Sequence, residues 1–318
     1  MLQNVPTAES LEEIALRLLF DAWTDTLRLI DDFSEAYLVE DHLPEESKEY
    51  AEEWDEYIES AQAEMGVICT NIQQSAELKL KSIICSISPY LLLLNGSASL
   101  RGRDRDQDFS DLRTLDAVDL PNAVLKLTPF NLPGSYIQRY AKLRRLRNQV
   151  THLGSHTERL SPKLLINNIT QQYKALWPDG RWLHRRTVFD GNSARNFFHD
   201  DKYSSVQSLV MSEISTTKAL MDSETFKKTF GIKKSALKKY CPICMEKRAR
   251  NWEDQEHPTA YQDSSSSVFC LMCETQLRLE AGNKDFPECP KCRKSLVVHH
   301  PNPPQYSPKC ICASCGAS

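Results

Sequence analysis

The sequence predicts a mainly α-helical protein in which a bundle of long helices precedes a small domain organised by cysteines. Apolar residues recur at helical spacing almost throughout Glu9 to Leu94. Nine of the 11 cysteines follow residue 240. A chain of 318 residues also exceeds the size that one hydrophobic core usually supports, which predicts two domains. We place them at residues 1–235 and 236–318.

Long helices dominate the predicted first domain. Ser10 and Glu13 have the spacing of a capping box and start the first helix. Pro44 ends that helix, and Glu45 starts a second one that is expected to continue past Gly66. The remaining predicted elements are a short helix at 111–118, helices at 136–154 and 161–176, a strand at 182–189 and further helix at 206–240.

Charge is distributed unevenly along the chain. Residues 1–65 contain 19 acidic and 3 basic side chains, a net of −16, whereas the whole chain has −4 and the remainder therefore +12. A basic remainder indicates a polyanionic partner for the later two-thirds. The strongest cationic cluster, and the predicted nucleic-acid contact, is Lys227, Lys228, Lys233, Lys234, Lys238 and Lys239. A solvated helix face is the alternative interpretation of these lysines.

No segment is expected to enter a membrane. The most apolar run, Ser82 to Leu94, is too short to span a bilayer and contains Pro89. The acidic N-terminus lacks the basic-then-apolar order of a signal peptide. We therefore expect a cytoplasmic protein whose cysteines bind metal rather than form disulfides.

Four Cys-x-x-Cys pairs carry the most specific pattern in the chain. They are Cys241/Cys244, Cys270/Cys273, Cys289/Cys292 and Cys312/Cys315. Two thiolates at this spacing can occupy two corners of a tetrahedral zinc site, so eight ligands predict two structural Zn²⁺ ions. Closed four-cysteine sites have no open coordination position, and no catalytic metal is expected.

The sequence does not decide which two Cys-x-x-Cys pairs form each zinc site. Sequential pairing gives two successive zinc-ribbon-like sites, and nested pairing uses the 15 residues between Cys273 and Cys289 for an inner site. A cross-braced arrangement like that of RING domains is the third possibility. The substitute ligands are His257, His299, His300 and Cys310.

The helix predicted from Tyr136 to Gly154 carries the second informative pattern. It has Ser135 as its N-cap and a buried stripe formed by Ile137, Tyr140, Leu143, Leu146, Val150 and Leu153. Near its end stand Arg147, Asn148 and His152. At roughly 100° per residue, Asn148 and His152 share one face, so the amide could orient the imidazole.

A permanent cation beside a titratable imidazole suits the cleavage of a phosphodiester. Histidine transfers protons, while arginine binds the non-bridging oxygens and stabilises charge in the transition state. RNA supplies its own nucleophile, the 2′-hydroxyl, so this chemistry requires no metal.

The motif Arg147-Asn148-x-x-x-His152 resembles the signature of HEPN-domain endoribonucleases, which include toxin, abortive-infection and CRISPR-associated nucleases. The preceding long helices, with Glu77 and Lys81 four residues apart, are similar to those that open that fold. The resemblance covers residues 10–180 loosely and the six motif residues tightly. It implies a HEPN-like bundle that forms a homodimer with two motif helices facing each other, and metal-independent cleavage of an RNA substrate. Arg147 and His152 would be the catalytic pair, with Asn148 in support.

The expected function is therefore a metal-independent endoribonuclease of toxin or antiviral-defence type, whose zinc-binding domain recruits substrate or a protein partner. A protein inhibitor is also an expected partner, and the acidic residues 1–65 could restrain the site by imitating nucleic acid. The first alternative is a non-catalytic nucleic-acid-binding zinc-ribbon adaptor, in which Arg147 and His152 only pack or pair with other ions. The second is a RING-like component of a ubiquitin ligase.

Overall fold

The protein forms two compact units, Met1–Gly180 and Arg181–Ser318. The computed structural model describes residues 2–37, 50–94, 107–153, 158–178, 182–191, 206–250, 258–281, 288–303, 305 and 310–316. The division falls well before the predicted boundary at residue 235. It groups the helices between residues 182 and 230 with the cysteine pairs and not with the first helical bundle.

Helices make up most of the first unit. The described helices are α1 (Ala8–Tyr37), α2 (Ala51–Ser60), α3 (Gln62–Cys85), α4 (Leu120–Leu127), α5 (Gly134–Asn148) and α6 (Pro162–Leu176). A π-helical turn, Gln149–Leu153, continues α5, and 3-10 turns occur at Pro89–Leu92 and Phe109–Asp111. Two short strands, β1 (Leu2–Gln3) and β2 (Gln107–Asp108), pair in parallel.

Helix α3 is the centre of this bundle. Its Ser75 hydroxyl donates a hydrogen bond to the Ala15 carbonyl of α1 at 2.7 Å, and its Ile72 carbonyl accepts one from Gln172 Nε2 of α6 at 3.0 Å. Ser75 and Gln172 are fully buried. Because a buried polar group is costly unless it is paired, these bonds fix where α1 and α6 lie on α3.

Several predicted helix boundaries are confirmed and others are wrong. Helix α6 begins as predicted, with the Ser161 side chain accepting from the Leu164 N–H at 3.3 Å. The short helix expected at 111–118 lies instead at Leu120–Leu127, because Pro121 starts a helix rather than continuing a connection. The second long helix is interrupted at Ala61 but passes through Gly66, as predicted. Pro44 and Glu45 lie outside the described residues.

The second unit combines helices with an antiparallel sheet. Its described helices are α7 (Trp182–Gly191), α8 (Val206–Leu220), α9 (Ser223–Phe230) and α10 (Pro242–Arg250). The six-stranded sheet follows chain order, with β3 (Lys238–Lys239), β4 (Ala260–Ser264), β5 (Ser267–Cys270), β6 (Gln276–Ala281), β7 (Leu296–His299) and β8 (Cys310–Cys312).

The strand predicted at residues 182–189 is wrong, because this segment is helix α7. Trp182 and Arg186 are both buried, four residues apart on one helical face. Arg186 Nη2 lies 2.7 Å from Glu213 Oε1 of α8, and Arg186 Nε lies 3.2 Å from Glu213 Oε2. A two-point ion pair between neighbouring helices explains how an arginine occupies the interior.

The sheet curls so that the residues after its first and last strands come into contact. The Tyr240 N–H, directly after β3, donates to the Ala313 carbonyl, directly after β8, at 3.1 Å. The continuous helix predicted over 206–240 is wrong, since Asp222 caps a new helix and Gly231, with φ of 76°, ends it before β3. None of the described helices combines the length and apolar character needed to cross a bilayer.

Candidate metal centres and candidate active site

The four cysteine pairs form two clusters. One contains Cys241, Cys244, Cys270 and Cys273, and the other contains Cys289, Cys292, Cys312 and Cys315. Within each cluster all four sulfur atoms lie within 4.8 Å of one another. The pairing is therefore sequential, and the nested and cross-braced alternatives are wrong. The RING-like interpretation depended on cross-bracing and loses its basis.

The sulfur spacing fits a tetrahedral metal ion. The Sγ–Sγ distances are 3.7 Å for Cys241–Cys273, 3.6 Å for Cys244–Cys270, 3.4 Å for Cys289–Cys315 and 3.6 Å for Cys292–Cys312. A tetrahedron with metal–sulfur bonds of about 2.3 Å has edges of roughly 3.8 Å. Each cluster could hold one ion with all four positions filled by protein.

The thiols of the clusters differ in acidity: the hydrogen bond with Cys244 raises the pKa of Cys241, whereas the pKa values of other thiols are lowered. The Cys292 backbone N–H is the main cause that lowers the pKa of Cys289, to about 6. In the first cluster, hydrogen bonds from the Cys241 thiol and then the Cys244 thiol lower the pKa of both Cys270 and Cys273. Because metal ligands must be thiolates, these bonds favour the binding-competent form at Cys270, Cys273 and Cys289.

Three of the four pairs end in the same backbone conformation. The residue after the second cysteine has φ of 55° at Glu274, 60° at Arg293 and 75° at Gly316. The first pair leads into α10 instead. A non-glycine residue costs about 1–2 kcal/mol in this left-handed conformation, so Glu274 and Arg293 are strained where Gly316 is not.

Gly316 is also where the two metal centres touch. A Cβ atom there would lie 2.9 Å from Met245 Cε and 3.0 Å from Tyr240 Cδ1. Tyr240 and Met245 flank the first cysteine pair, whereas Gly316 follows the fourth. The absence of a side chain at residue 316 therefore allows the two centres to pack against each other.

We expect Gly316→Ala to lower the free energy of unfolding of the second unit by about 1–3 kcal/mol, because it adds both backbone strain and a steric clash. Urea denaturation measures the change. Gly191→Ala is the matched control, since a Cβ atom at residue 191 would meet nothing within 4 Å, and it should change the free energy by less than about 0.5 kcal/mol. Equal effects of the two substitutions would contradict the packing role of Gly316.

The predicted substitute ligands have other environments. Cys310 is buried opposite His299 in the β7–β8 pair, and burial raises the pKa of its thiol. His299 Nε2 lies 2.9 Å from Glu280 Oε2, and His300 Nε2 lies 3.1 Å from Glu246 Oε2. None of the three belongs to either cluster. His257 lies outside the described residues.

The predicted catalytic residues lie where α5 changes into the π-helical turn. Arg147 and Asn148 are the last residues of α5, and His152 is in the turn Gln149–Leu153. The helix begins at Gly134, so the predicted N-cap role of Ser135 is wrong. Gly154, the predicted end, lies outside the described residues. Of the predicted stripe, Tyr140, Leu143 and Leu146 are buried, Ile137 and Val150 are half-buried, and the side chain of Leu153 is not among those described.

The π-helical turn changes which motif residues share a face. In an α-helix, residues five apart are separated by roughly 140°, but hydrogen bonds from i to i+5 widen the turn and reduce this to roughly 50°. The widened turn moves His152 towards the face of Arg147 and keeps it within roughly 40° of the face of Asn148. No hydrogen bond joins Asn148 to His152 in this part of the described chain, and the orienting role of Asn148 stays a prediction.

Arg147 is fixed to helix α3 by an ion pair. Its Nη2 atom lies 2.6 Å from Glu77 Oε1, and the two side chains are only 24% and 17% exposed. Gln73 Nε2 approaches the same carboxylate oxygen at 3.4 Å. Burial, and then the charge of Glu77, raise the pKa of the neighbouring Tyr140. Although Lys81 stands four residues after Glu77 on the same helix, the ion-pair partner of Glu77 is Arg147, 70 residues away.

The π-helical turn rests on α3 at a glycine. A Cβ atom at Gly66 would lie 3.1 Å from Val150 Cγ1, so the glycine permits the close approach of the turn. His152, two residues later, is exposed. The site thus combines an arginine held against the bundle with a histidine that is accessible to solvent.

The six predicted nucleic-acid-binding lysines do not share one helical face. Lys227 and Lys228 are exposed on α9, whereas Lys233, Lys234, Lys238 and Lys239 follow it in a loop and in β3. Lys228 pairs with Glu224, and Lys234 donates to the Met221 carbonyl. Lys239 is buried, and burial followed by repulsion from Lys294 lowers its pKa. Binding of nucleic acid by this cluster stays a prediction.

Comparisons of the chain with protein-family models, with curated proteins and with solved structures give no match. The resemblance to HEPN-domain endoribonucleases therefore rests on the motif residues themselves.

Proposed function

We propose that this protein is a metal-independent endoribonuclease in which His152 and Arg147 act on the scissile phosphodiester. The proposal is carried by the contrast between these two side chains. Arg147 is held by Glu77 at 2.6 Å, whereas His152 is exposed on the adjoining turn. A rigid cation beside an accessible imidazole supports phosphodiester chemistry, and the ion pair leaves most of the five guanidinium N–H donors for a phosphate.

In this mechanism, the His152 imidazole accepts the proton of the 2′-hydroxyl, and O2′ attacks phosphorus. The bond to O5′ breaks, which gives a 2′,3′-cyclic phosphate and a 5′-hydroxyl. The leaving O5′ needs a proton from a second acid. A composite site in a homodimer supplies it from the histidine of the other copy, and each Arg147 stabilises charge on the non-bridging oxygens.

Zinc is the metal we propose for both cysteine clusters. Closed sites of four thiolates at tetrahedral spacing are typical of structural Zn²⁺. When bound, the ion would supply folding energy for the second unit. Thiolates kept free of disulfides suit the reducing cytoplasm, where we place the protein. A toxin or antiviral setting, with a protein inhibitor, follows from the family resemblance alone.

The substrate test uses two strands of identical sequence, one of RNA and one with 2′-deoxy sugars throughout. We expect the protein to cleave the RNA, leaving 2′,3′-cyclic phosphate ends that mass spectrometry detects, and to leave the deoxy strand intact because it lacks the nucleophile. The rate per chain should also rise with dimer formation. Cleavage of the deoxy strand, or full activity of a monomer, would contradict the proposed mechanism.

A non-catalytic nucleic-acid-binding adaptor is the second candidate. The Arg147–Glu77 ion pair favours this candidate, because an arginine that serves to join α5 to α3 has a structural role without acting on a substrate. In that case wild type and His152→Ala bind RNA equally well, and both leave it intact.

A further inference from the structure

The third cysteine pair differs from the other three in the charge of its turn. Lys291, Arg293 and Lys294 lie within or directly after Cys289 and Cys292, and all three are exposed. We call these three residues the basic knuckle. The residues enclosed by the other pairs are uncharged, and most are buried: Pro242, Ile243, Leu271, Met272, Ala313 and Ser314.

Among the described residues of this unit, no carboxylate forms an ion pair with Lys291, Arg293 or Lys294, whereas Glu280 pairs with Arg278. Exposed positive charge that is not paired with a carboxylate attracts a polyanion.

The backbone holds the basic knuckle in one conformation. The Arg293 N–H donates to the Cys289 carbonyl at 2.8 Å, and the Cys289 N–H donates to the Lys294 carbonyl at 3.0 Å. Arg293 occupies the left-handed position that Gly316 fills in the fourth pair, with φ of 60°. Glu274 has the same conformation after the second pair, so the strain alone does not distinguish Arg293, and the difference lies in its charge. Here the Arg293 side chain is a cation presented on a rigid turn.

We propose that the basic knuckle binds the phosphodiester backbone of single-stranded nucleic acid. Three exposed cations on a fixed turn suit contacts to phosphate, which fix position and are independent of base sequence. This proposal goes beyond cleavage at His152 and holds equally for a protein that binds without cleaving.

The test measures binding of the full-length chain to a single strand of 2′-O-methyl RNA, which cannot be cleaved through a 2′-hydroxyl. The variant K291Q/R293Q/K294Q removes three charges and keeps the side chains long. If each lost phosphate contact lowers the slope of log K against log salt by about 0.7, the total decrease is about 2, with an affinity loss of about 10–100-fold at low salt. Fluorescence anisotropy at several salt concentrations gives both quantities.

The matched control is R113Q/K126Q/K163Q, which removes one arginine and two lysines that are exposed in the first unit. It should keep the wild-type slope and bind within about twofold of wild type. A second variant, Arg293→Gly, separates strain from charge, because it should raise the midpoint of urea denaturation while weakening binding.

Four results would overturn the proposal. The triple variant could keep the wild-type affinity and slope, or the control could lose as much. The triple variant could lose its bound metal, which would mean that the cations only offset thiolate charge. It could also keep its affinity for RNA while losing adsorption to vesicles of anionic phospholipid, which would assign the surface to a membrane. If unmodified RNA stays intact while the triple variant shows the expected change in slope on 2′-O-methyl RNA, the proposed nuclease is contradicted and binding by the basic knuckle is supported.

Discussion

His152→Ala is expected to lower the rate of RNA cleavage by about 10²–10⁴-fold, the usual contribution of a general acid or base. The side chain is exposed, so its removal should change the free energy of unfolding by less than about 0.5 kcal/mol. The measurements are single-turnover cleavage of a labelled RNA and urea denaturation of the same preparation. A large loss of rate without a loss of stability separates chemistry from folding.

His184→Ala is the matched control, because His184 is also exposed on a helix but lies outside the motif. It should keep the wild-type rate. Arg147→Ala makes the contrast sharper, since it removes the partner of the largely buried Glu77 and should cost about 1–3 kcal/mol of stability as well as activity. If His152→Ala and His184→Ala cleave at the same rate, His152 is not catalytic.

The second large effect concerns the metal centres. Cys270→Ser removes one of the four sulfurs of the first cluster. We expect the protein to retain one zinc ion per chain instead of two and the sheet of the second unit to lose its cooperative unfolding. Binding of a structural zinc ion contributes about 10–16 kcal/mol in small domains. Elemental analysis of the purified protein and circular dichroism give the two readouts.

Cys310→Ser is the control, because Cys310 is a buried cysteine of the same sheet that belongs to neither cluster. It should keep two zinc ions and a folded sheet, with a loss limited to about 1–3 kcal/mol for replacing a buried thiol by a hydroxyl. Equal loss of metal from both variants would mean that the clusters do not define the sites. Chelation should unfold the second unit for the same reason that Cys270→Ser does.

The sequence allowed the metal ligands to be predicted but not their pairing. Four pairs of identical spacing permit three combinations, and local geometry is the same in each. The choice depends on strand register, for example on β7 lying between β6 and β8. Such contacts join residues far apart in the chain, and no periodicity within a segment encodes them. The strand wrongly predicted at Trp182 shows the same limit, since a buried Arg186 is intelligible only with Glu213 opposite it.

The residues of the candidate active site could be predicted from the sequence, but the backbone geometry that positions them could not. Arg147, Asn148 and His152 could be selected from the chain because of their chemistry and their place on an amphipathic helix. The π-helical turn could not, because it coincides with the close contact between Val150 and Gly66 of another helix. The sequence predicts that Glu77 lies on a helix, but its ion pair with Arg147 depends on how α3 and α5 pack.

The bond from the Tyr240 N–H to the Ala313 carbonyl has a consequence for how the second unit is assembled during synthesis. The ligands of the first cluster, between Cys241 and Cys273, leave the ribosome before the last ligands of the second. The first cluster can therefore capture its ion while the sheet is still open at both edges. Until Ala313 arrives, β3 and the growing last strand expose unpaired backbone groups of the kind through which chains associate. The Tyr240–Ala313 hydrogen bond therefore forms only after most of the second unit has been synthesised.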